Sequence, residues 1–322
     1  MNILITSISR KVSLIKAFKK ALYENGGGKV IGTDTNILSI GLHIADEFII
    51  VPMSDAPDFK DAMINICKKE RIDLVIPTRD EELPFWALNK DDFLTIGTKI
   101  MIASIETIKI CQNKFLFNAF CIQNSFKIPA IVSPDNCKNK SIFPLFGRPQ
   151  KGKSSKNTFV INTESELNFY IKQNNDLIIQ KFIDAPEYTI DLFAEFSGKI
   201  ISVVPRQRIN TFGGESFVTK TCKNSILIAE AIKLSERLKL IGHNTIQCFF
   251  YEGQVLFIEV NPRFGGAANL SFIAGAPSPN FLVEIINGKV IESQIGQFKD
   301  KYTMLRFTED MFFEEKYLDN IQ

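Results

Sequence analysis

The stretch Asn244–Gly266, NTIQCFFYEGQVLFIEVNPRFGG, decides how this chain is read. Two apolar runs, Thr245–Tyr251 and Val255–Val260, surround Glu252-Gly253-Gln254, which predicts a β-hairpin with Gly253 where the backbone needs positive φ. Glu259, Asn261 and Arg263 follow two apart. Alternate residues of a strand share a face, so the three converge if the strand continues to Arg263. Pro262 lacks an amide hydrogen, which suits a strand end or an edge. A carboxylate and an amide oxygen are hard ligands of the kind Mg²⁺ takes, and a neighbouring arginine suits phosphate oxygens. Loop length sets the register. A three-residue loop over 252–254 pairs 251 with 255 and puts Gln247 opposite Glu259, whereas a two-residue loop sends them to opposite faces. The three-residue loop is predicted, with a metal set of Gln247, Glu259 and Asn261. A polar strand end facing solvent is the plainer alternative.

Toward the N-terminus the pattern changes. Asn2–Thr6 reads as a buried strand, and Lys11–Tyr23 as a helix with Val12, Ile15, Phe18 and Leu22 on one face. Val30–Thr33 is a second strand, Phe59–Cys67 an amphipathic helix, and Ile72–Ile76 a strand stopped by Pro77. Such alternation implies a parallel sheet with right-handed crossovers, a Rossmann-like lobe. Asp34, at the end of the second strand, invites a dinucleotide reading. That reading needs glycines just after the first strand, where this chain has Ser7-Ile8-Ser9-Arg10-Lys11. A nicotinamide cofactor is therefore not expected. Asp80-Glu81-Glu82, beyond the strand at Ile72–Ile76, either meets a ligand or starts a helix.

Between these regions, Arg148-Pro149 follows an apolar strand and opens Gln150–Asn157, which holds Lys151, Lys153 and Lys156. Cations and free amides there could cover a polyphosphate, with Ser154 and Ser155 adding hydroxyls. Gln180–Ile183 reads as a connector whose backbone could hydrogen-bond a purine, and Glu187 could accept from ribose. A solvated turn and a surface charge are the duller readings. Arg206-x-Arg208, followed by Gly213-Gly214-Glu215, suits a substrate carboxylate and amine, or a salt-bridged strand end.

Composition narrows the classes. Of 322 residues, 45% are hydrophobic and 23% charged, which excludes disorder and coiled coil. Lys+Arg 38 against Asp+Glu 36 leaves too little charge to commit the chain to nucleic acid or an anionic membrane. No apolar run approaches the roughly 20 residues of a membrane span, and Met1–Ser7 carries no cationic leader. Six cysteines without a CxxC pair, and two histidines, argue against zinc and for reduced thiols in a cytoplasmic protein. His43 and His243 are expected to be structural.

In order along the chain, Lys114, the 148–156 loop, Gln180-Lys-Phe-Ile…Glu187-Tyr-Thr-Ile-Asp191 and Asn244-x-x-Gln247…EVNPRFGG resemble the ATP-grasp superfamily. The resemblance is nearest to its carbamoyl-phosphate-synthase-like and pyrrolysine-pathway-ligase-like carboxylate–amine ligases. It implies an α/β fold: a Rossmann-like pre-ATP-grasp domain over 1–105, a small lobe lidding ATP over 106–184, and a large lobe with the metal site and C-terminal segment over 185–322. It implies that Lys114, Arg148 and Ser154 contact phosphates, that Gln180, Lys181 and Ile183 border adenine, and that Glu187 binds ribose. Gln247, Glu259 and Asn261 would hold Mg²⁺ or Mn²⁺. Arg263 would stabilise the transferring phosphoryl group, with Arg206 or Arg208 a second candidate. The implied partners are a small carboxylate and an amine, amino-acid-like, with no nucleic acid or membrane, and a homodimer. Three departures stand out: Arg148 where lysine is usual, Lys181 where many members carry glutamate, and Gly152 as the lone glycine of the 151–157 loop. They support a non-catalytic ATP-binding module as the alternative; the complete metal set favours an enzyme.

Overall fold

A computed structural model describes residues 1–133, 142–150, 158–174 and 176–314. The chain forms two compact units. The first comprises Met1–Ile102, Pro277–Ile291 and the described residues from Met304 onward; the second comprises Ala103–Ala276 and Glu292–Thr303.

The first unit is built from β1 (Asn2–Ile5), α1 (Val12–Glu24), β2 (Lys29–Asp34), β3 (Glu47–Ile50), α2 (Phe59–Lys69), β4 (Ile72–Ile76), α3 (Leu83–Thr95) and β5 (Lys99–Ile100). Its sheet runs β3-β2-β1-β4-β5 and every pairing is parallel, as the strand–helix alternation predicts. Helix α1 buries Leu14, Ile15, Phe18, Ala21 and Leu22, one apolar stripe at helical spacing. The glycine-free loop after β1 is closed by the protein itself. Asp34 Oδ2 accepts from the Ser9 amide at 2.8 Å, and Ser7 and Ser9 take positive φ without being glycine. The acidic run serves a helix start. Glu82 is buried, its Oε1 accepting from the amides of Thr78 (3.0 Å) and Arg79 (3.1 Å) and its Oε2 from Trp86 Nε1 (3.2 Å). Burial pushes the Glu82 carboxyl above the usual range, partly offset by hydrogen bonds from Trp86, Thr6, Thr78 and Arg79.

The second unit begins with α4 (Ile105–Gln112) and α5 (Lys114–Gln123). Then come β6 (Leu145–Pro149), β7 (Phe159–Ile161), α6 (Glu164–Gln173) and β8 (Leu177–Lys181), which make a small antiparallel sheet ordered β7-β6-β8. The remaining elements are β9 (Glu187–Ala194), β10 (Ile200–Phe212), β11 (Glu215–Thr221), α7 (Ser225–Leu238), β12 (Gly242–Tyr251), β13 (Gln254–Asn261) and α8 (Asn269–Ala274). Helix α9 (Ser278–Ile286) returns to the first unit and packs on α1. In the larger sheet, β13-β12-β9-β10-β11 are antiparallel neighbours. The sheet has two unlike faces, because side chains alternate. Ile190, Leu192, Ile246, Cys248, Phe257 and Val260 pack with Leu227, Ala231, Leu234 and Leu238 of α7 in one core. The residues between them (Glu187, Thr189 and Asp191 on β9, Thr245 and Gln247 on β12) lie on the other face. Among the described residues no helix is long and apolar enough to cross a membrane.

The hairpin corrects the predicted loop. Tyr251 pairs with Gln254, so the turn has two residues, Glu252 (φ 49°) and Gly253 (φ 75°), the left-handed pair that matches strand twist. Gln247 still sits opposite Glu259, because the register shifts between Gln247 and Cys248 and leaves Ile258 as an extra residue. The bulge does what the longer loop was predicted to do. Strand β13 runs one residue past the predicted Val260 but does not continue to Arg263, whose amide turns back to the Asn261 carbonyl at 2.8 Å.

Gly253→Ala is expected to destabilise the protein by about 1 kcal/mol, the cost of a Cβ in the left-handed region, measured by urea unfolding.

Candidate active site

The site is a row across the polar face of the larger sheet. Arg206 on β10 lies opposite Thr189 on β9, Thr189 opposite Gln247 on β12, and Gln247 opposite Glu259 on β13. One step along, Asp191 faces Thr245 and Thr245 faces Asn261.

Glu259 holds two amide side chains. Asn261 Nδ2 donates to Glu259 Oε1 at 3.2 Å, while Arg263 Nη2 reaches Asn261 Oδ1 at 3.4 Å. The Gln247 amide lies between Glu259 Oε1, at 2.5 Å, and Arg208 Nη1, at 2.9 Å, and both contacts are hydrogen bonds when its nitrogen is assigned to the Glu259 side. That assignment holds for the site without a cation, since a carboxylate only accepts and a guanidinium only donates; a cation shared with Glu259 would call for the amide oxygen instead. Arg208 also donates from Nη2 to the Gly214 carbonyl at 3.0 Å, and its Nε forms an ion pair with Glu187 Oε1 at 3.1 Å. Burial raises the Glu187 carboxyl, Arg208 opposes the shift, and the negative Glu259 adds to it. Burial likewise lowers the Arg208 guanidinium, with Glu187 opposing.

Arg148 arrives from β6 of the small sheet. It is 4% exposed, and its Nη1 donates to the carbonyl of the bulged Ile258 at 3.2 Å. Its Nε and Nη2 have no hydrogen-bond partner among the described residues. Burial lowers its pKa, and Glu259 pulls it back.

The other predicted residues are placed as follows. Lys114 opens α5 behind its cap Asn113, and its amide donates to the Gln150 carbonyl at 3.3 Å. Gln180 is buried and donates from Nε2 to the Pro129 carbonyl at 3.1 Å. Lys181 is exposed, with its amide on the Ala130 carbonyl at 2.8 Å, and Ile183 lies in the connector beyond β8. Ser154 and the 151–157 loop lie outside the described residues. Arg206 realises the salt-bridged reading of its motif. Its Nε and Nη2 grip Asp191 at 2.8 and 3.3 Å, both side chains buried, and Ser271 Oγ donates to the same carboxylate at 2.6 Å. Desolvation disfavours the Asp191 charge, but Arg206 and His243 outweigh it and hold the carboxyl well below the usual range. His243 lies flat against Phe264, ring centroids 4.4 Å apart, a structural place. Ser271 and Thr189 were not singled out from sequence, because short hydroxyl side chains carry no spacing signal. Gly265 is needed for closeness: a Cβ there would stand 2.7 Å from Thr245 Oγ1.

Glu259 flanked by the side-chain amides of Gln247 and Asn261 is a hard-oxygen donor set that fits Mg²⁺ when the amide oxygens face the cation. No group of three His, Cys, Asp or Glu able to hold a metal occurs among the described residues.

Comparison with known proteins places the chain's two parts among known families. Residues 3–101 match the family described as PylC-like, N-terminal domain, and residues 173–309 match ATP-grasp in the biosynthetic pathway with Ter operon. Residues 173–309 are thus an ATP-grasp domain. It is 26% identical over 217 residues to the carbamoyl phosphate synthase large chain of Thermoanaerobacter sp. (strain X514), covering 61% of this chain and 20% of that one. The chain spans about a fifth of that relative's length. A carbamoyl-phosphate synthase of Methanobrevibacter smithii is 22% identical over 307 residues, 89% of this chain and 81% of the relative. Among solved structures, the L-amino acid ligase from Bacillus licheniformis shares the fold at a TM-score of 0.67 and 16% identity, over 88% of this chain and 74% of that one.

Asp191→Asn is expected to cost about 3–5 kcal/mol at neutral pH, because it leaves Arg206 buried and unpaired. A depressed carboxyl contributes fully above its unfolded value of about 4 and loses that contribution as pH falls through the folded value. The stability gap between wild type and variant should therefore narrow below about pH 4, as measured by thermal unfolding against pH.

Proposed function

We propose that this protein is an ATP- and Mg²⁺-dependent carboxylate–amine ligase acting on small, amino-acid-like molecules. The observation that carries the reading is Arg148: a buried guanidinium beside Glu259 with one edge unpartnered among the described residues. Such an edge is costly unless an anion fills it, and a planar fork suits two phosphate oxygens. Lys114 and Ser154 would add phosphate contacts. Gln180, Lys181 and Ile183 would border the adenine, and Glu187 the ribose. Gln247, Glu259 and Asn261 would hold Mg²⁺, which supplies charge neutralisation between phosphates. The γ-phosphoryl group passes to the substrate carboxylate, giving an acylphosphate and ADP; the amine then attacks the acyl carbon and phosphate leaves. Arg263 would stabilise charge on the phosphoryl group in flight, with Arg208 in support. Arg206, committed to Asp191, would act through the shape of the site. Such transfer asks for positioning and cations more than for a nucleophile. A non-catalytic module has no need to keep Gln247 and Asn261 aligned on Glu259, and that alignment favours the enzyme.

The test is phosphate release from ATP and Mg²⁺ with pools of amino acids and small carboxylic acids. Release should require a pool and fall about 100-fold or more in Glu259→Gln; equal release in the variant would sink the metal assignment. Arg148→Met is expected to weaken ATP binding about tenfold or more, checked by calorimetry. Arg263→Ala should lower kcat more than ATP affinity, since its contribution is greatest in the transition state.

A further inference from the structure

Strand β12 carries His243, Thr245 and Gln247 at alternate positions, and so on one face. Gln247 stands opposite Glu259, while the other two reach the 262–268 loop that takes Arg263 away from β13. That loop has left the strand ladder, so its place over β12 rests on side chains. Thr245 Oγ1 donates to the Arg263 carbonyl at 3.2 Å, and Gly265 passes close against the same threonine. The His243 and Phe264 rings, both buried, lie 4.4 Å apart with their planes at 10°, and Phe272 of α8 meets each of them edge-on at 5.9 Å. Phe264 is in turn the link to the guanidinium, because Arg263 Nη1 donates to its carbonyl at 3.2 Å. Beneath the stack, His243 Nε2 lies 3.7 Å from Asp191 Oδ1, and Asp191 Oδ2 accepts from Ser271 of α8, the helix into which the loop runs.

We propose that His243 and Thr245 are positioning residues for Arg263: the stack on Phe264 and the hydroxyl on the Arg263 carbonyl fix the loop, and the Phe264 carbonyl fixes the guanidinium. This rests on the ligase reading above, in which Arg263 meets the phosphoryl group in flight. A flat ring on a flat ring resists tilt as well as displacement, which an aliphatic side chain of similar volume does not. Because both residues share one face of β12 with Gln247, a single strand gauges the place of Arg263 against the metal set. The precision required is high, since a reacting group moved by about 1 Å costs on the order of 100-fold in rate. ATP is held by other groups, Arg148 foremost, so a loosened loop slows the chemical step and leaves nucleotide affinity in place.

The experiment uses the full chain and two readouts, phosphate release from ATP and hydrogen exchange of the 262–268 amides. His243→Leu should lower kcat about tenfold or more with the KM for ATP within about twofold, and should speed exchange in the loop about tenfold. His243→Phe keeps the flat face and should return kcat to within about threefold of wild type, with exchange near the wild-type rate. Thr245→Val removes only the hydroxyl, a milder change than leucine in the stack, and should lower kcat about fivefold. In an Arg263→Ala background, both His243→Leu and Thr245→Val should change kcat by less than about twofold, since the group they position is gone. Equal losses with and without Arg263, or a loss as large from phenylalanine as from leucine, overturn the proposal. A wild-type chain that releases no phosphate with any pool overturns the ligase reading and the role of Arg263 with it. The exchange rates set that outcome apart, because they report on the clamp without turnover; unchanged loop exchange in both His243→Leu and Thr245→Val overturns the clamp itself.

Discussion

The pairing of β12 with β13 is the constraint on which the rest depends. Without the extra residue at Ile258, a two-residue turn would bring Ile258 opposite Gln247 and rotate Glu259 and Asn261 toward the core formed with α7. A carboxylate there would lose its hydration among Leu227, Ala231 and Leu234, a penalty no neighbour could offset. The bulge keeps the short turn that strand twist favours, and still delivers the polar residues to the polar face. It also leaves a carbonyl outside the regular ladder, and Arg148 takes it. One irregular residue thus sets the register of the site and anchors the small sheet's cation to it.

Charge on that face is arranged in layers. The deepest layer is the Asp191–Arg206 pair with Ser271, in which the carboxylate is held ionised and the bidentate grip fixes β9 against β10. Above it, Glu187 and Arg208 make a shallower pair, and Glu259 is surrounded by amides and by more distant arginines. Arg148, Arg206, Arg208 and Arg263 face Glu187, Asp191 and Glu259, so the site has one guanidinium in excess of its carboxylates. That excess, together with the unpartnered edge of Arg148, is the physical reason for reading the site as a receptor for an anion.

Much of this was legible in particular residues. The parallel lobe followed from strand–helix alternation, and in the glycine-free loop after its first strand the Ser9 amide donates to Asp34. The opposition of Gln247 to Glu259 was anticipated through the wrong device, because a bulge leaves no mark in composition while a glycine in a turn does. The split of Arg206 from Arg208 was not legible. Two residues apart on β10, they share a face and a chemistry, and only the presence of Asp191 opposite one end separates a structural arginine from one that reaches the site. The run Asp80-Glu81-Glu82 was similarly ambiguous until Glu82 met the amides of Thr78 and Arg79.

By itself the amino-acid sequence determined the order of elements, the two-faced character of the larger sheet and the set of oxygen and guanidinium groups collected at its polar end. These follow from periodicity and residue type, which are local properties. Tertiary structure alone decided which amides stand beside Glu259, which arginine is spent in a buried pair and which guanidinium edge is without a partner among the described residues. Those outcomes depend on what stands across a strand boundary or on another sheet, and hydrogen-bond direction is settled only when donor and acceptor meet in space.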